Sequence, residues 1–214
     1  MKKLFFILVL FSLSLIAANA TEQGVVDRSA VTVREFRNMP EKGIPPRILR
    51  RARGLAIISV VKAGFIFSGK AGEGVVVART GRGWSGPSFI GTGGAGWGPQ
   101  IGAELTDFVI VLNNESAVRA FAKGGNVTLG ADASVAAGPV GRAAEADVTA
   151  RAAIYTYSRS KGLFIGASLE GAVIGRRTGA NQRYYGGPVS ASDILHGRVA
   201  APAGASNLHA ALGR

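Results

Sequence analysis

The sequence predicts an α+β fold, a β-rich single domain with a curved antiparallel sheet or barrel-like core, Gly-rich turns and a few short peripheral helices. Three observations carry this. Thirteen of the forty-one residues from Lys62 to Gly102 are glycine, set among Phe65, Ile66, Phe67, Val75, Val76, Val77, Phe89 and Ile90. Flexible linkers pair glycine with serine and lack such apolar surface, so these glycines mark tight turns, bulges, bends or close approaches of two backbones in a packed sheet. Short stretches of helical period stand between Pro, Asn and Gly punctuation, which suits brief helices at the edge of a sheet. With no cysteine anywhere, the chain must be held by its own apolar core.

From the N-terminus, Lys2 and Lys3 precede an apolar run from Leu4 to Ala18 and the small-residue triplet Ala18-Asn19-Ala20. This is the pattern of a secretory signal peptide over residues 1–20, with cleavage after Ala20. As a helix the run reaches only about 22 Å, short of a bilayer core of about 30 Å. An uncleaved anchor is the competing reading. The expected location is therefore the periplasm or the outside of the cell, with peripheral membrane association.

Residues 21–30 read as a polar, mobile lead-in, and residues 31–200 as the domain. Val31–Met39 has weak helical periodicity ended by Pro40. Pro45-Pro46 opens a short helix, Arg47–Arg53, with Gly54 expected just past its end. On a helical wheel Arg47, Arg50 and Arg51 share one side, while Ile48, Leu49 and Ala52 share the other.

Strands are expected over Leu55–Val61, Gly64–Phe67, Gly74–Arg79, Ser88–Gly91 and Thr106–Leu112, separated by glycine-rich turns. Asn113-Asn114 caps a helix from Glu115 to Lys123, which Gly124-Gly125 ends. Strands resume at Asn126–Gly130, Ser134–Ala137 and Ala143–Thr149, and residues 152–174 read as a long hairpin turning at Ser160-Lys161-Gly162. Ser190–Asp193 is a capping box for a short helix that runs to His196. Residues 201–214 form an alanine-rich tail, at most one loosely docked helix.

Cleavage would leave 194 of the 214 residues, enough for one domain that buries roughly 70% of its extended surface. Removing Lys2 and Lys3 from the 25 basic residues leaves a net charge of +10 against 13 acidic ones. Residues 34–62 concentrate eight of the basics, Arg34, Arg37, Lys42, Arg47, Arg50, Arg51, Arg53 and Lys62, against Glu35 and Glu41. Clustered charge of one sign points to an anionic partner or to a face that only keeps the protein soluble.

Several chemistries find no support. Gly91-Thr-Gly93-Gly-Ala-Gly96 has dinucleotide-like spacing, but Gly98-Pro99 and another strand pattern follow where a phosphate-binding helix would have to begin. There is no Gly-x-Ser-x-Gly elbow and no thiol, and the only histidines, His196 and His209, are too far apart to form a metal cluster by themselves. Glu104 and Asp107 are a candidate carboxylate pair that a strand edge or turn explains more simply, Glu170 reads as a solvent-facing or arginine-paired strand residue, and His196 as a helix C-terminal residue. Trp84 and Trp97 read as core packing, with a membrane-interface role as the alternative. The basic stretch lacks the interleaved aromatics of a nucleic-acid stacking platform. No enzyme, cofactor, metal or nucleic-acid partner is expected.

These residues also carry a family likeness. Ile44–Ile58, Lys62–Gly69 and Gly72–Arg79 closely resemble the opening of the SYLF domain. The likeness continues through Trp84–Ser88, Gly102–Ile110 and Gly130, and ends with Tyr157–Phe164 and Ser168–Ala172. It runs in unbroken order over about residues 30–200. The resemblance implies a lipid-binding module: eukaryotic members bind phosphoinositides, with a basic amphipathic segment at the N-terminal end implicated, and some bind or bundle actin. It also implies a single SYLF domain without Src-homology-3 or FYVE partner domains. If the chain is exported, cytoplasmic actin is not an expected partner.

The function so implied is peripheral binding to an anionic phospholipid membrane surface. Lys42, Arg47, Arg50, Arg51 and Arg53 would contact headgroups, with Lys62 and Lys70 as secondary candidates. Phe36, Ile48 or Leu49 would supply an inserted apolar element. The alternative is an envelope or secreted assembly protein docking an acidic protein or polymer through the same face.

Overall fold

A computed structural model describes residues 21–39, 43–123, 126–129, 135–137, 152–162 and 173–213, with backbone alone for 64–68, 95–101, 135–137, 161 and 162. Helix α1 (Glu22–Asn38) opens on Thr21, whose side chain accepts the Gly24 amide at 3.1 Å. Its buried residues Val25, Val26, Ser29, Ala30, Val33 and Phe36 recur at helical spacing and form one inward stripe. The expected boundary after residue 30 falls inside this helix, because Val25 and Val26 are 3% and 0% exposed. Residues 22–30 are thus packed, not a mobile lead-in. Extended backbone at Met39 ends the helix, as a following proline requires.

Helix α2 (Pro46–Arg51) begins with proline in its first turn, as expected. Gly54 does not cap it. It starts strand β1 (Gly54–Thr80), and a Cβ there would lie 2.8 Å from the Val77 carbonyl oxygen. After β2 (Gly83–Trp84), β3 (Ser88–Leu112) pairs antiparallel with β1 from Gly54↔Leu112 to Val76↔Ser88, with one irregularity between Phe65 and Phe67. The short strands expected in this region are two long ones, and the interior glycines lie within strand rather than in turns.

Strand β1 also lies against itself. The Arg79 amide donates to the Arg53 carbonyl at 2.7 Å. Gly74 sits so near the Ile57 carbonyl that a Cβ would come within 1.9 Å of it. Glycine is needed where two backbones approach this closely.

Helix α3 (Glu115–Ala122) is capped by Asn114, whose side chain accepts the Ala117 amide at 2.9 Å. Strands β4 (Val127–Thr128), β5 (Val135–Ala137), β6 (Ile154–Gly162) and β7 (Val173–Arg176) complete a seven-stranded sheet. β6 pairs with β3 and, in parallel, with β5, whereas β7 pairs with β3 and β4. β6 and β7 each use β3 as a neighbour, and the second arm of the expected 152–174 hairpin, residues 163–172, lies outside the described residues. β6 runs on through Ser160, Lys161 and Gly162. The expected strand Ala143–Thr149, the glycine pair at 124–125 and Glu170 lie outside the described residues.

Helices α4 (Thr178–Tyr185), α5 (Ala191–Leu195) and α6 (Ser206–Leu212) close the chain, with a 3₁₀ turn at Ala203–Ala205. The Ser190 capping box forms as expected. The tail is not loosely docked, since Leu208 and Ala211 are 0% and 3% exposed and share a core with Val25 and Val33.

Alternating strand residues feed two cores. Leu55, Ile57, Val75, Val77, Val109 and Val111 face α1, α2 and α6. Ala56, Ile58, Val76, Ile110 and Leu112 face α3 and α5. Both faces of the curved sheet are covered by helices, which agrees with the α+β expectation.

Candidate functional site

Helix α2 is fixed by its apolar side. Leu49 and Ala52 are buried in the α1-side core, Ile48 packs half-buried against it, and the Ile44 amide bonds the Phe36 carbonyl at 3.1 Å. Arg50, Arg51 and Arg53 are left exposed, with Arg47 half-buried beside them. No ion pair among the described residues engages Arg50, Arg51 or Arg53, although Arg119, Arg159, Arg177, Arg183 and Arg198 all pair with carboxylates. An arginine cluster without carboxylate partners keeps its field for an external anion.

The expected apolar anchors are not free to insert. Phe36 is 1% exposed and Leu49 8%, both turned into the core that anchors α2. The amphipathic face that suggested insertion is the one that holds the helix down.

Folding also divides the basic candidates. Lys42 lies outside the described residues. Lys62 is half-buried opposite Glu104, about 26 Å along an extended strand from Gly54. Lys70 is exposed and lies across Gly94, where a Cβ would come within 2.8 Å of Lys70 Cε. Neither lysine belongs to the α2 cluster.

Two arginines join that cluster from elsewhere. Arg53, Arg79, Arg119 and His196 line a recess of about 190 Å³, with Glu115 as its carboxylate. Arg79 stacks 4.0 Å above the Trp84 ring, and the Trp84 indole donates to the Gly213 carbonyl at 2.9 Å. Burial pulls the Arg79 guanidinium below its ordinary pKa, yet arginine starts so high that it stays charged. Glu115 and Arg119 form an exposed i,i+4 pair at 3.7 Å, which leaves much of the charge unopposed. Sequence reasoning missed Arg79 and Arg119 because the Arg79–Arg53 backbone bond and the placement of α3 bring them into one recess with Arg53 from distant parts of the chain.

Glu104 and Asp107 are 5% and 6% exposed within β3, not at a strand edge or turn. Ser59 donates to Asp107 at 2.6 Å, and Arg159 lies 3.4 Å from Asp107 and bonds Glu35 of α1. The Glu35 carboxylate holds the Arg159 guanidinium above its ordinary pKa despite burial. Arg159 bridges the Glu35 and Asp107 carboxylates, and with the Ser59 bond it ties β1, β3, β6 and α1 together. These groups form a structural network. His196 ends α5, and His209 bonds the Ser85 carbonyl at 2.9 Å. Among the described residues no group of three His, Cys, Asp or Glu could hold a metal, and no helix is long and apolar enough to cross a membrane. Gly91–Gly96 runs within β3, so no helix N-terminus awaits a dinucleotide there. The Trp97 side chain lies outside the description.

A second and larger cavity, of about 510 Å³, opens between α1, β1, β3 and β7.

A family model described as "Las17-binding protein actin regulator" (Ysc84) matches residues 93–214. Protein YSC84 of Saccharomyces cerevisiae is 54% identical over 170 residues, covering 77% of this chain and 36% of the relative. An SH3 domain-containing protein of Schizosaccharomyces pombe is 52% identical, covering 79% and 40%. The SH3 domain-containing YSC84-like protein 1 of Homo sapiens is 48% identical, covering 85% and 56%. The chain spans about one third to a little over half the length of these relatives.

Proposed function

The chain belongs to the Ysc84 family of SYLF domains, and from that premise we propose that it binds anionic phospholipid peripherally through the basic face around α2. The family is one of non-enzymatic binding modules. The single observation that carries the lipid reading is the exposed cluster of Arg50, Arg51 and Arg53, engaged by no ion pair among the described residues, at the end of a helix whose apolar side is locked in the core. Arg47 flanks the cluster, and Arg79 and Arg119 extend it.

Each basic residue near an anionic surface contributes roughly 1 kcal/mol, so the four arginines of the α2 face give about 4 kcal/mol, a millimolar attraction, and Arg79 and Arg119 add about 2 kcal/mol more. With Phe36 and Leu49 buried, the contact is electrostatic and reversible, not an insertion. Export through residues 1–20 is part of the same proposal and would place the surface against a periplasmic or outer leaflet. Co-sedimentation with phosphatidylserine vesicles tests the lipid reading. Wild type should pellet, and the protein with Arg47, Arg50, Arg51 and Arg53 changed to serine should not. Equal pelleting would overturn it.

The family description supplies a second reading, actin regulation. A basic face of this kind would meet an acidic protein surface as readily as a lipid one. The expectation of no actin contact rested on export alone and is not carried forward. Co-sedimentation with actin filaments, by the same variants, decides whether one face serves both.

A further inference from the structure

We propose that the basic face is proton-gated: His196, in the recess between α3, α5 and β1, becomes a further cation of that face below neutrality and tightens its hold on an anionic surface. This gate rests on the α2 reading and regulates the same face. Separate parts of the chain meet in the recess. Arg53 precedes β1, Arg79 lies one residue from the end of β1, Arg119 belongs to α3, and His196 follows α5 as its C-cap. Val118 and Leu195, 8% and 2% exposed, share a core beneath them and hold α5 against α3. The His196 side chain itself is exposed.

The hydrogen bonds of the imidazole decide what a second proton does. Nδ1 lies 2.7 Å from the Ser192 carbonyl oxygen, an atom that can only accept. Nδ1 therefore carries the proton of the neutral ring, and Nε2 is the bare nitrogen. Among the described residues Nε2 has no hydrogen-bond partner. A second proton adds at Nε2 without breaking the Ser192 bond, so α5 keeps its place and only the charge changes.

The charged groups around the ring come from every element packed on it. Glu115 and Arg119 of α3 pair at 3.7 Å. Asp193 of α5 takes the Arg198 guanidinium at 2.9 Å and the Ser190 hydroxyl at 2.7 Å. Arg53 and Arg79 pair with no carboxylate among the described residues. β3 places no titratable residue in the described lining. Three arginines against Glu115 give the recess a formal charge of +2, and a protonated His196 makes it +3. Both nearby carboxylates already have arginine partners, so the added charge is felt outside the protein.

Imidazole is the side chain whose charge changes between about pH 5 and 8, whereas arginines and carboxylates keep theirs. The extra cation is present at the acid end and lost as pH rises. One more basic charge near an anionic surface tightens binding about fivefold. His209 serves as a control, because it bonds the Ser85 carbonyl at 2.9 Å and is not among the residues lining the recess.

The test is the dissociation constant of the full chain for phosphatidylglycerol vesicles at about pH 5.5 and about pH 8, a range over which the phosphodiester keeps its charge. Wild type should bind about fivefold more tightly at the lower pH. His196→Gln should bind alike at both, near the wild-type value at the higher pH. His196→Lys should bind tightly at both, since its charge is permanent, and this result cannot arise from loss of the Ser192 bond. His209→Gln should keep the wild-type dependence. A wild type indifferent to pH, a His196→Gln protein that keeps the fivefold change, or a dependence lost with His209→Gln would overturn the proposal. Absence of vesicle binding at either pH would overturn the α2 reading and the gate with it.

Discussion

The Arg79 amide donates to the Arg53 carbonyl at 2.7 Å, which holds the residue before β1 beside the penultimate residue of that same strand. The basic end of α2 and the side-on contact of β1 with itself are thus one structural event. If the strand could not lie against its own beginning, Arg79 and Arg53 would not share a recess.

Gly74 is where that contact is tightest. Gly74→Ala would put a methyl group 1.9 Å from the Ile57 carbonyl oxygen and 2.7 Å from Ile58 Cα, both backbone atoms. Destabilisation of about 3 kcal/mol or more is expected, a fall in melting temperature of roughly 6–12 °C. Gly81→Ala meets nothing within 4 Å and should shift it little. Thermal unfolding followed by circular dichroism compares the two.

Asp107→Ala should destabilise by about 3 kcal/mol, because it strips the Ser59 hydroxyl and the half-buried Arg159 of an acceptor. Vesicle binding per folded molecule should not change, since this network is remote from α2. Urea unfolding and co-sedimentation of one preparation separate the two effects. A loss of binding without a loss of stability would contradict the structural assignment.

The Ser190 hydroxyl, and next to it Arg198, hold the Asp193 carboxyl below its ordinary pKa. A carboxyl depressed in the folded state stabilises above its unfolded pKa, near 3.9, and loses that contribution as pH falls through the folded value. Asp193→Asn should therefore lower the urea midpoint at neutral pH, with the gap to wild type closing below about pH 4. A gap that persists at acid pH would show that charge is not its cause.

How much of this was legible depends on range along the chain. The α2 face could be read from Pro45, Pro46, Leu49, Arg50 and Arg51 because its proline start and its period are local. The first half of α1 could not, since Ser29 and Ala30 look unremarkable until Leu208 and Ala211 arrive from the other end of the chain to share their core. Gly72 reads as part of a turn and Gly74 as the start of a strand, whereas both are used for close approach, to Ser59 and Ile57, and which partners they meet is set by tertiary contact. Helix α4 gave no periodic signal. Its Asn181 is 1% exposed and is held there by bonds to the Phe89 amide and the Ser88 hydroxyl. The cavity lined by Arg28, Arg176 and Arg177 joins opposite ends of the chain and left no local trace.

The central claim is that charge at one place, not charge in total, docks the protein on membrane. The decisive measurement is the vesicle dissociation constant of Arg50→Ser, Arg51→Ser beside that of Arg183→Ser, Arg198→Ser, which removes equal charge from exposed arginines already paired with Glu22 and Asp193. The α2 pair should weaken binding about 30-fold, from about 2 kcal/mol lost, and the control pair should change it little. Equal losses from both would mean that net charge alone drives attraction and that α2 is not the docking face.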